Sequence, residues 1–437
     1  MTEPAANTSF VEHESRAAIL AELHARPFVP LETPRRVYHF AFATNEDEAQ
    51  ADREEIERLC ASRDCAAAGD AKFKSLGLGD WALRWEQHTE FTTYTWSTSL
   101  DAAAPFSHPD PVGAGEIRFR PPGRLIVAAH LCVVGRELSL EELAGLFNSR
   151  SLCVIGAAKG AAHVLTDFAV DSAKFTRLII RADGGSALDN GRLAQRALEI
   201  ETYRTMALLG LPEARRASPQ LRAMEHELSG ITHALSRMQD TRTNEDLLHR
   251  LSDLLAASEA LSTRSAFRFG ASRAYHALVK NRLELLQETK ESQYVTISNF
   301  LSARLDPAIE TCNAVEARQA RLSNQVERAI NLMRTGLTLE LERQNGDLLH
   351  DMNRRARLQM RLQRILQGLS VAALAYYLLG LTAFVAKGAK DAGWLPASLT
   401  AEETTALALP VMFLASWLFM ERVRRLSLKA AKEERVD

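Results

Sequence analysis

One stretch limits what this chain can fold into more than any other. Ile365 to Val385, ILQGLSVAALAYYLLGLTAFV, carries no charged side chain. A helix needs about 20 apolar residues to cross a hydrocarbon core of about 30 Å, and this run supplies them. Its polar side chains are confined to Gln367, Ser370, Thr382 and the tyrosines Tyr376 and Tyr377. A second apolar run, Thr404 to Met420, is shorter and contains Pro410; it reads as the return arm of a hairpin. The expectation is a two-helix transmembrane hairpin over 365–420, against the alternative of a buried core hairpin in a large soluble protein.

The flanks orient the hairpin. Arg354, Arg355, Arg357, Arg361 and Arg364 precede the first run, and Arg422, Arg424, Arg425 and Lys429 follow the second. The connection between them sets Lys387 and Lys390 against Asp391, Glu402 and Glu403. Cationic flanks are retained in the cytoplasm. The chain is therefore expected in a bacterial inner (cytoplasmic) membrane with both termini cytoplasmic, and residues 421–437 form a basic cytoplasmic tail. The start, MTEPAANTSFVEHESRAAIL, lacks the cationic opening and apolar core of a secretory signal.

Residues 192–364 read as a helical stalk. Apolar residues recur at threes and fours in Leu193, Ala197, Ile200 and Tyr203, and again in Leu247, Leu251, Leu254 and Leu255. Pro212 and Pro219 mark one turn between helices and Asp306-Pro307 another. After Pro307 the next proline is Pro396, and the stripe Leu322, Val326, Ile330, Met333, Leu337, Leu341, Leu348, Met352, Leu358, Leu362, Ile365 runs into the first span. It weakens near Asn345 and Arg355. A helix from Pro307 to Val385 would be about 115 Å long at 1.5 Å per residue. Its apolar stripe needs cover, from preceding helices or from copies of itself, so a homo-oligomer is expected.

Residues 1–183 read as a cytoplasmic α/β or α+β domain. Val11 to Leu23 is a first helix, closed by Pro27. Strands are predicted at Val37–Ala43, Ala71–Leu78, Trp81–Gln87, Phe91–Ser97, Arg124–Val134, Leu152–Ala157, Ala161–Phe168 and Phe175–Arg181. Asn45 with Glu48, and Ser139 with Glu142, have the spacing of capping boxes opening helices through about Cys60 and Phe147. The loop DGGSALDNG, Asp183 to Gly191, closes the domain, and no strand is expected after Arg192. Of the five cysteines, Cys132 and Cys153 sit in apolar strands, as inert core thiols of a reducing compartment.

Phosphate loops, GxGxxG, GxSxG, HExxH and CxxC pairs do not occur. The stretch nearest to a site is Arg84, Glu86, His88 and Glu90, which two-residue spacing places on one strand face. Glu86, His88 and Glu90 are the candidate metal ligands or proton carriers; the competing reading is a solvated strand face with cross-strand ion pairs. His24 and Arg26, before Pro27, are a second candidate, as an anchor of the first helix against that sheet; the competing reading is a turn with a satisfied histidine. In the first span Gly368, Ala372, Ala375, Gly380 and Ala383 are small enough for close helix packing, and with Tyr376 they are the candidate packing or pore-lining positions. No cofactor is expected, and a divalent cation is the one ligand left open. The net charge of −2 argues against nucleic acid and leaves the lipid bilayer as the expected partner.

The phrases ELHARPF (Glu22 to Phe28), RWEQHTEFTTYTW (Arg84 to Trp96), TDF (Thr166 to Phe168) and LEIETYR (Leu198 to Arg204) resemble those of a bacterial family of uncharacterised membrane-anchored proteins, domain of unknown function 3422. The similarity covers nearly the whole chain, and the second phrase is its most specific part. It implies a cytoplasmic module on a C-terminal membrane anchor and supplies no activity. In architecture alone the chain is similar to CorA-type cation channels, which also run a long helix into the first of two C-terminal spans. Their Gly-Met-Asn signature is missing, since Ala386 to Gly388 reads AKG. The expected function is a non-enzymatic, membrane-anchored module that oligomerises through its stalk, as scaffold, sensor or CorA-like cation conduit. The alternative is a membrane-tethered enzyme or metal-binding domain using Glu86, His88 and Glu90.

Overall fold

The computed structural model describes residues 13–16, 19–20, 28–62, 72–101, 104–107, 111–112, 117–235, 241–291, 293–393 and 401–433. It divides into two compact units, Met1–Asn331 and Leu332–Asp437. The expected first helix and the pair His24 and Arg26 lie largely outside the described residues.

In chain order the first unit runs β1 (Arg35–Ala43), α1 (Glu46–Ala61), β2 (Phe73–Leu78), β3 (Trp81–Gln87), β4 (Phe91–Ser99), β5 (Arg124–Val134), α2 (Leu140–Ala144), β6 (Cys153–Ala157), β7 (Ala162–Val170), β8 (Thr176–Ala182), α3 (Ala187–Leu208), α4 (Gly210–Leu235), α5 (Thr241–Leu286) and β9 (Thr289–Lys290). The next helix, α6 (Ile297–Asp391), begins in the first unit and ends in the second, which also holds α7 (Ala401–Glu433). Both expected capping boxes are present, Asn45 with Glu48 on α1 and Ser139 with Glu142 on α2.

The strands make one mixed sheet in the order β2, β3, β4, β1, β5, β8, β7, β6, β9. Among the named strands of the described residues, β5 and β8 are the pair that runs parallel. Alternation along each strand separates two faces. Val37, Ala41, Ala129, Leu131, Ile155 and Leu178 pack with Leu193, Ala197 and Ile200 of α3, Val279 and Leu283 of α5, and Leu301 and Leu305 of α6. On the opposite face Tyr38, Phe40, Phe42, Trp85 and Tyr94 pack with Ile56 and Cys60 of α1. Farther along it, Cys132, Val134, Val154 and Ile179 pack with Leu143 and Phe147. Each large side chain removed from water stabilises the fold by about 1.5–3 kcal/mol. Asp52 fastens α1 to the sheet, its carboxylate accepting from Trp85 Nε1 at 3.0 Å and from the Tyr94 hydroxyl. Burial raises its pKa, and the bonds from Tyr94 and Trp85 pull it back.

Four expectations change. The loop Asp183 to Gly191 is shorter than expected, because Ser186 and Asp189 form a third capping box that starts α3 at Ala187. A strand does follow Arg192: β9 adds to the sheet edge against β6, too short to leave a periodic signal. Of the three prolines only Pro212 stands at a break between helices, the one at Leu209 between α3 and α4. Pro212 falls in the first turn of α4, where a missing N–H costs nothing, and Pro219 and Pro307 lie inside α4 and α6. An interior proline costs about 3 kcal/mol; around Pro307 the buried Leu301, Leu305, Ala308 and Ile309 offset that loss. The long helix thus starts ten residues before Pro307 and runs past Val385.

From Leu301 the buried residues of α6 step by fours and threes through Leu305, Ala308, Cys312, Val315, Gln319, Leu322, Val326, Ile330 and Met333. Side-chain pairs fasten this length to α5, which runs antiparallel to it: His276 with Asp306 at 2.7 Å, Arg273 with Glu316 at 2.5 Å, Ser265 with Gln319 at 3.1 Å and Ser258 with Ser323 at 3.0 Å. Arg318 adds a bidentate pair with Glu225 of α4.

In the second unit, α6 and the Thr405–Val423 part of α7 are long and apolar enough to cross a membrane, and only 6% of each apolar window is buried. Among the described residues there, Ala375 and Ser416 are the ones buried within the spans.

Candidate functional site

The register of the sheet builds a grid on the face turned toward α3. Val37, Ser97 and Ala82 are cross-strand neighbours, then His39, Thr95 and Arg84, then Ala41, Thr93 and Glu86. Helix α3 crosses this grid and contributes Ala194, Gln195, Leu198, Glu199, Thr202 and Tyr203. Between them lies a cavity of about 90 Å³; on that measure one water takes roughly 10–15 Å³, so the space admits a small molecule.

The segment that includes Val29 and Leu31 also lines the cavity. Leu31 N donates to Ala187 O at 2.8 Å, Asn190 Nδ2 reaches Leu31 O at 3.4 Å, and Arg192 lies over the Phe28 ring at 5.5 Å. Gly191 makes this approach possible, because a Cβ there would overlap the Val29 carbonyl oxygen.

His39, 6% exposed, sits at the centre. Its Nε2 is 2.9 Å from Thr202 Oγ1 and its Nδ1 is 2.8 Å from Thr95 Oγ1. Thr202 gives its one hydroxyl proton to Leu198 O at 2.9 Å, so toward His39 it accepts. The proton of the neutral ring is therefore on Nε2, and Nδ1 accepts from Thr95. Burial, with Arg84 nearby, holds the His39 pKa down at about 3, so the ring is uncharged at neutral pH.

The charged groups of the wall are matched. Arg84 donates to Glu86 at 3.0 Å and to Gln195 Oε1 at 2.9 Å; Gln195 Nε2 donates to Glu199 at 2.8 Å, and Arg282 of α5 pairs with Glu199. Thr93 differs. It is 3% exposed, lines the cavity, and its Oγ1 has no hydrogen-bond partner among the described residues.

Two-residue spacing does bring Arg84, Glu86 and His88 to one cavity wall. Contrary to the solvated-face reading, helix α3 covers that wall: the Arg84 and Glu86 side chains are 11% and 12% exposed. Glu90 leaves the set. It lies in the turn to β4, where it pairs with Arg268 of α5, and the phenol of Tyr275 is raised by burial and by Glu90 beside it. His88 stacks on Phe91 at 4.2 Å. Glu86, His88 and Glu90 do not form a cation cage; among the described residues no group of three His, Cys, Asp or Glu is placed to hold a metal.

In the second unit Gly368, Ala372, Tyr376 and Gly380 lie on an exposed row of α6, Tyr376 at 75% exposure, while Ala383 is half-buried and Ala375 is the buried small residue. Arg354, Arg355, Arg357, Arg361 and Arg364 are exposed, as are Arg422 and Arg425; the Arg424 side chain lies outside the described set.

His39, Thr93 and Thr202 escaped the sequence reading, and so did two clusters away from the cavity. His163 lies between Asp183 at 2.5 Å and Glu291 at 3.2 Å. Phe168 stacks on Phe300 of α6 at 5.1 Å, with Arg204 of α3 over one ring and Arg304 over the other. Cys132 and Cys153 are buried thiols pushed up in pKa by burial, as inert core residues are.

Fold and cavity together define a class: a mixed-sheet domain with a polar pocket under a helix, followed by two helices apolar enough to span a bilayer. The chain belongs to the family described as "Protein of unknown function (DUF3422)", whose model matches residues 11–426. Neither a curated protein nor a solved structure matches it. Of the four phrases on which the resemblance rests, RWEQHTEFTTYTW and LEIETYR meet across the cavity through Thr95, Arg84 and Thr202, and TDF meets LEIETYR where Phe168 lies under Arg204.

Proposed function

We propose that this protein is a self-associating module anchored in the bacterial inner membrane by α6 and α7, with its sheet domain acting in the cytoplasm as a sensor. The carrying observation is the uncovered half of one stripe. Beyond Met333 the stripe continues, with weak turns near Asn345 and Arg355, through Leu341, Leu348, Met352, Leu358, Leu362 and Ile365, all between 56% and 70% exposed. Apolar residues in such a row are stable in water only when a second row meets them, and a copy of the same helix supplies a matching one. The apolar windows that follow suit lipid, and the arginines before and after them favour a cytoplasmic position for both ends.

Two measurements on the full chain test this. After alkaline washing of membranes it should stay in the pellet; recovery in the supernatant would end the anchored reading. Detergent-solubilised protein should have the mass of an oligomer, and Leu348→Asp should reduce it to one chain; a monomeric wild type would remove self-association. The same particle in liposomes addresses the CorA-like alternative, because flux of a divalent cation would replace the sensor reading with a conduit.

A further inference from the structure

We infer that the cavity under α3 is a binding site for a small uncharged molecule that carries hydroxyl groups along one edge and apolar surface along the other. This gives the sensor reading its ligand and rests on that reading for its purpose, although binding is measured apart from it.

The argument starts from what the wall has left to offer. Strand β4 sets Thr93, Thr95 and Ser97 on the cavity side at two-residue spacing, roughly 7 Å between neighbours. The Thr95 hydroxyl is committed to His39. Thr93 lines the cavity with its hydroxyl buried and without a partner among the described residues, at a cost of about 1–3 kcal/mol; a turn about its side-chain bond would bring that hydroxyl onto a ligand hydroxyl and relieve the cost. Beside them on the sheet Val37, and across the cavity Leu31 and Leu198, present hydrocarbon.

Charge selects further. The guanidinium of Arg84 is answered by Glu86, and the carboxylate of Glu199 by Arg282. His39 adds no charge, as its two ring nitrogens are engaged by hydroxyls and burial keeps it neutral. A ligand with net charge would leave water for a wall whose charges already cancel, whereas an uncharged ligand avoids that penalty.

Three four-carbon probes separate these cases on the detergent-solubilised full chain: butane-2,3-diol, butyrate and butylammonium, followed by titration calorimetry and by the unfolding temperature. The diol should bind with half-saturation in the millimolar range and raise the unfolding temperature, and the two ions should do neither. Thr93→Val keeps the shape and deletes the hydroxyl. It should weaken the diol about tenfold, the equivalent of one hydrogen bond, and raise the unfolding temperature of the ligand-free protein by removing an unpaired buried group. Silence from all three probes, equal binding of an ion, or a Thr93→Val protein that binds the diol as before would each overturn the inference. Diol binding by the Leu348→Asp protein would keep the site even if self-association failed.

Discussion

Along α6 one stripe of apolar residues meets two different surroundings. Between Leu301 and Met333 the stripe is buried, and even its polar member, Gln319, is 1% exposed. Between Leu341 and Ile365 the stripe is open, with Leu348 at 62% and Ile365 at 70%. The spacing weakens near Asn345 and Arg355 on the open length, but it does not say what covers either one. What separates them is the extent of α4 and α5: their side-chain pairs with α6 reach from Asp306 to Ser323. The lesson is that periodicity announces a need for cover and is silent on its source. The covered length belongs to the stability of one chain, and the open length to whatever that chain meets.

The largest effect expected from this contrast comes from placing a charge on each length. Val326 is 0% exposed, and Val326→Asp would bury a carboxylate with no partner prepared for it. Such a charge costs several kcal/mol, against about 5–15 kcal/mol for the stability of a typical domain. Urea unfolding of the first unit should shift by about 4 kcal/mol or more. Leu348→Asp should leave the same transition within about 0.5 kcal/mol, as an exposed substitution does. Equal losses at both positions would break the contrast, since Leu348 would then be covered within its own chain.

Acid should separate the two regions next. Burial holds the His39 pKa at about 3, below its ordinary 6.5, so the fold carries a neutral ring that the unfolded chain protonates as pH falls. The sign follows from linkage: this contribution is fully present above pH 6.5 and is lost on descending from 6.5 toward 3. Between pH 6.5 and 5 the wild type should lose about 1.5 kcal/mol more than His39→Gln, which does not titrate. No titratable side chain is buried among the described residues of 332–437, so the mass of the solubilised particle should hold over the same range. Matching urea curves for wild type and His39→Gln would mean that the ring is charged in the fold or open to water.

Much of the first unit was legible because its signals are local. Capping boxes at Asn45 and Ser139 and the alternation in WALRWEQ and FTTYTWSTS depend on neighbours within a few residues, and those elements appear where expected. Arg84, Glu86 and His88 were found together for the same reason. Their cover was not legible, because Thr202 and Gln195 lie more than a hundred positions away and reach the grid only through sheet register and the path of α3. The polar alternation of Thr93, Thr95 and Ser97 was the available hint: hydroxyls on a strand whose other face is aromatic imply a buried polar surface. Pro219 and Pro307 misled because packing outweighed a local breaker, and β9 was too short to have a period.

The smallest expected effect concerns how the covered length fixes its register. Ser258 is 0% exposed and its hydroxyl meets that of Ser323 at 3.0 Å, while Ser323 is half-buried. The pair is therefore unequal. Ser258→Ala leaves the Ser323 hydroxyl near water and should cost only the net value of one hydrogen bond, about 0.5–1 kcal/mol. Ser323→Ala leaves the Ser258 hydroxyl buried and alone and should cost more, about 1–3 kcal/mol. The double variant should fall near Ser258→Ala, because removing both partners strands neither. On the open length Gln344 occupies a comparable position in the stripe but is exposed, and Gln344→Ala should change the unfolding transition by less than about 0.5 kcal/mol. If the two serine variants cost the same, water reaches both hydroxyls, and the seam between α5 and α6 is looser than its burial indicates.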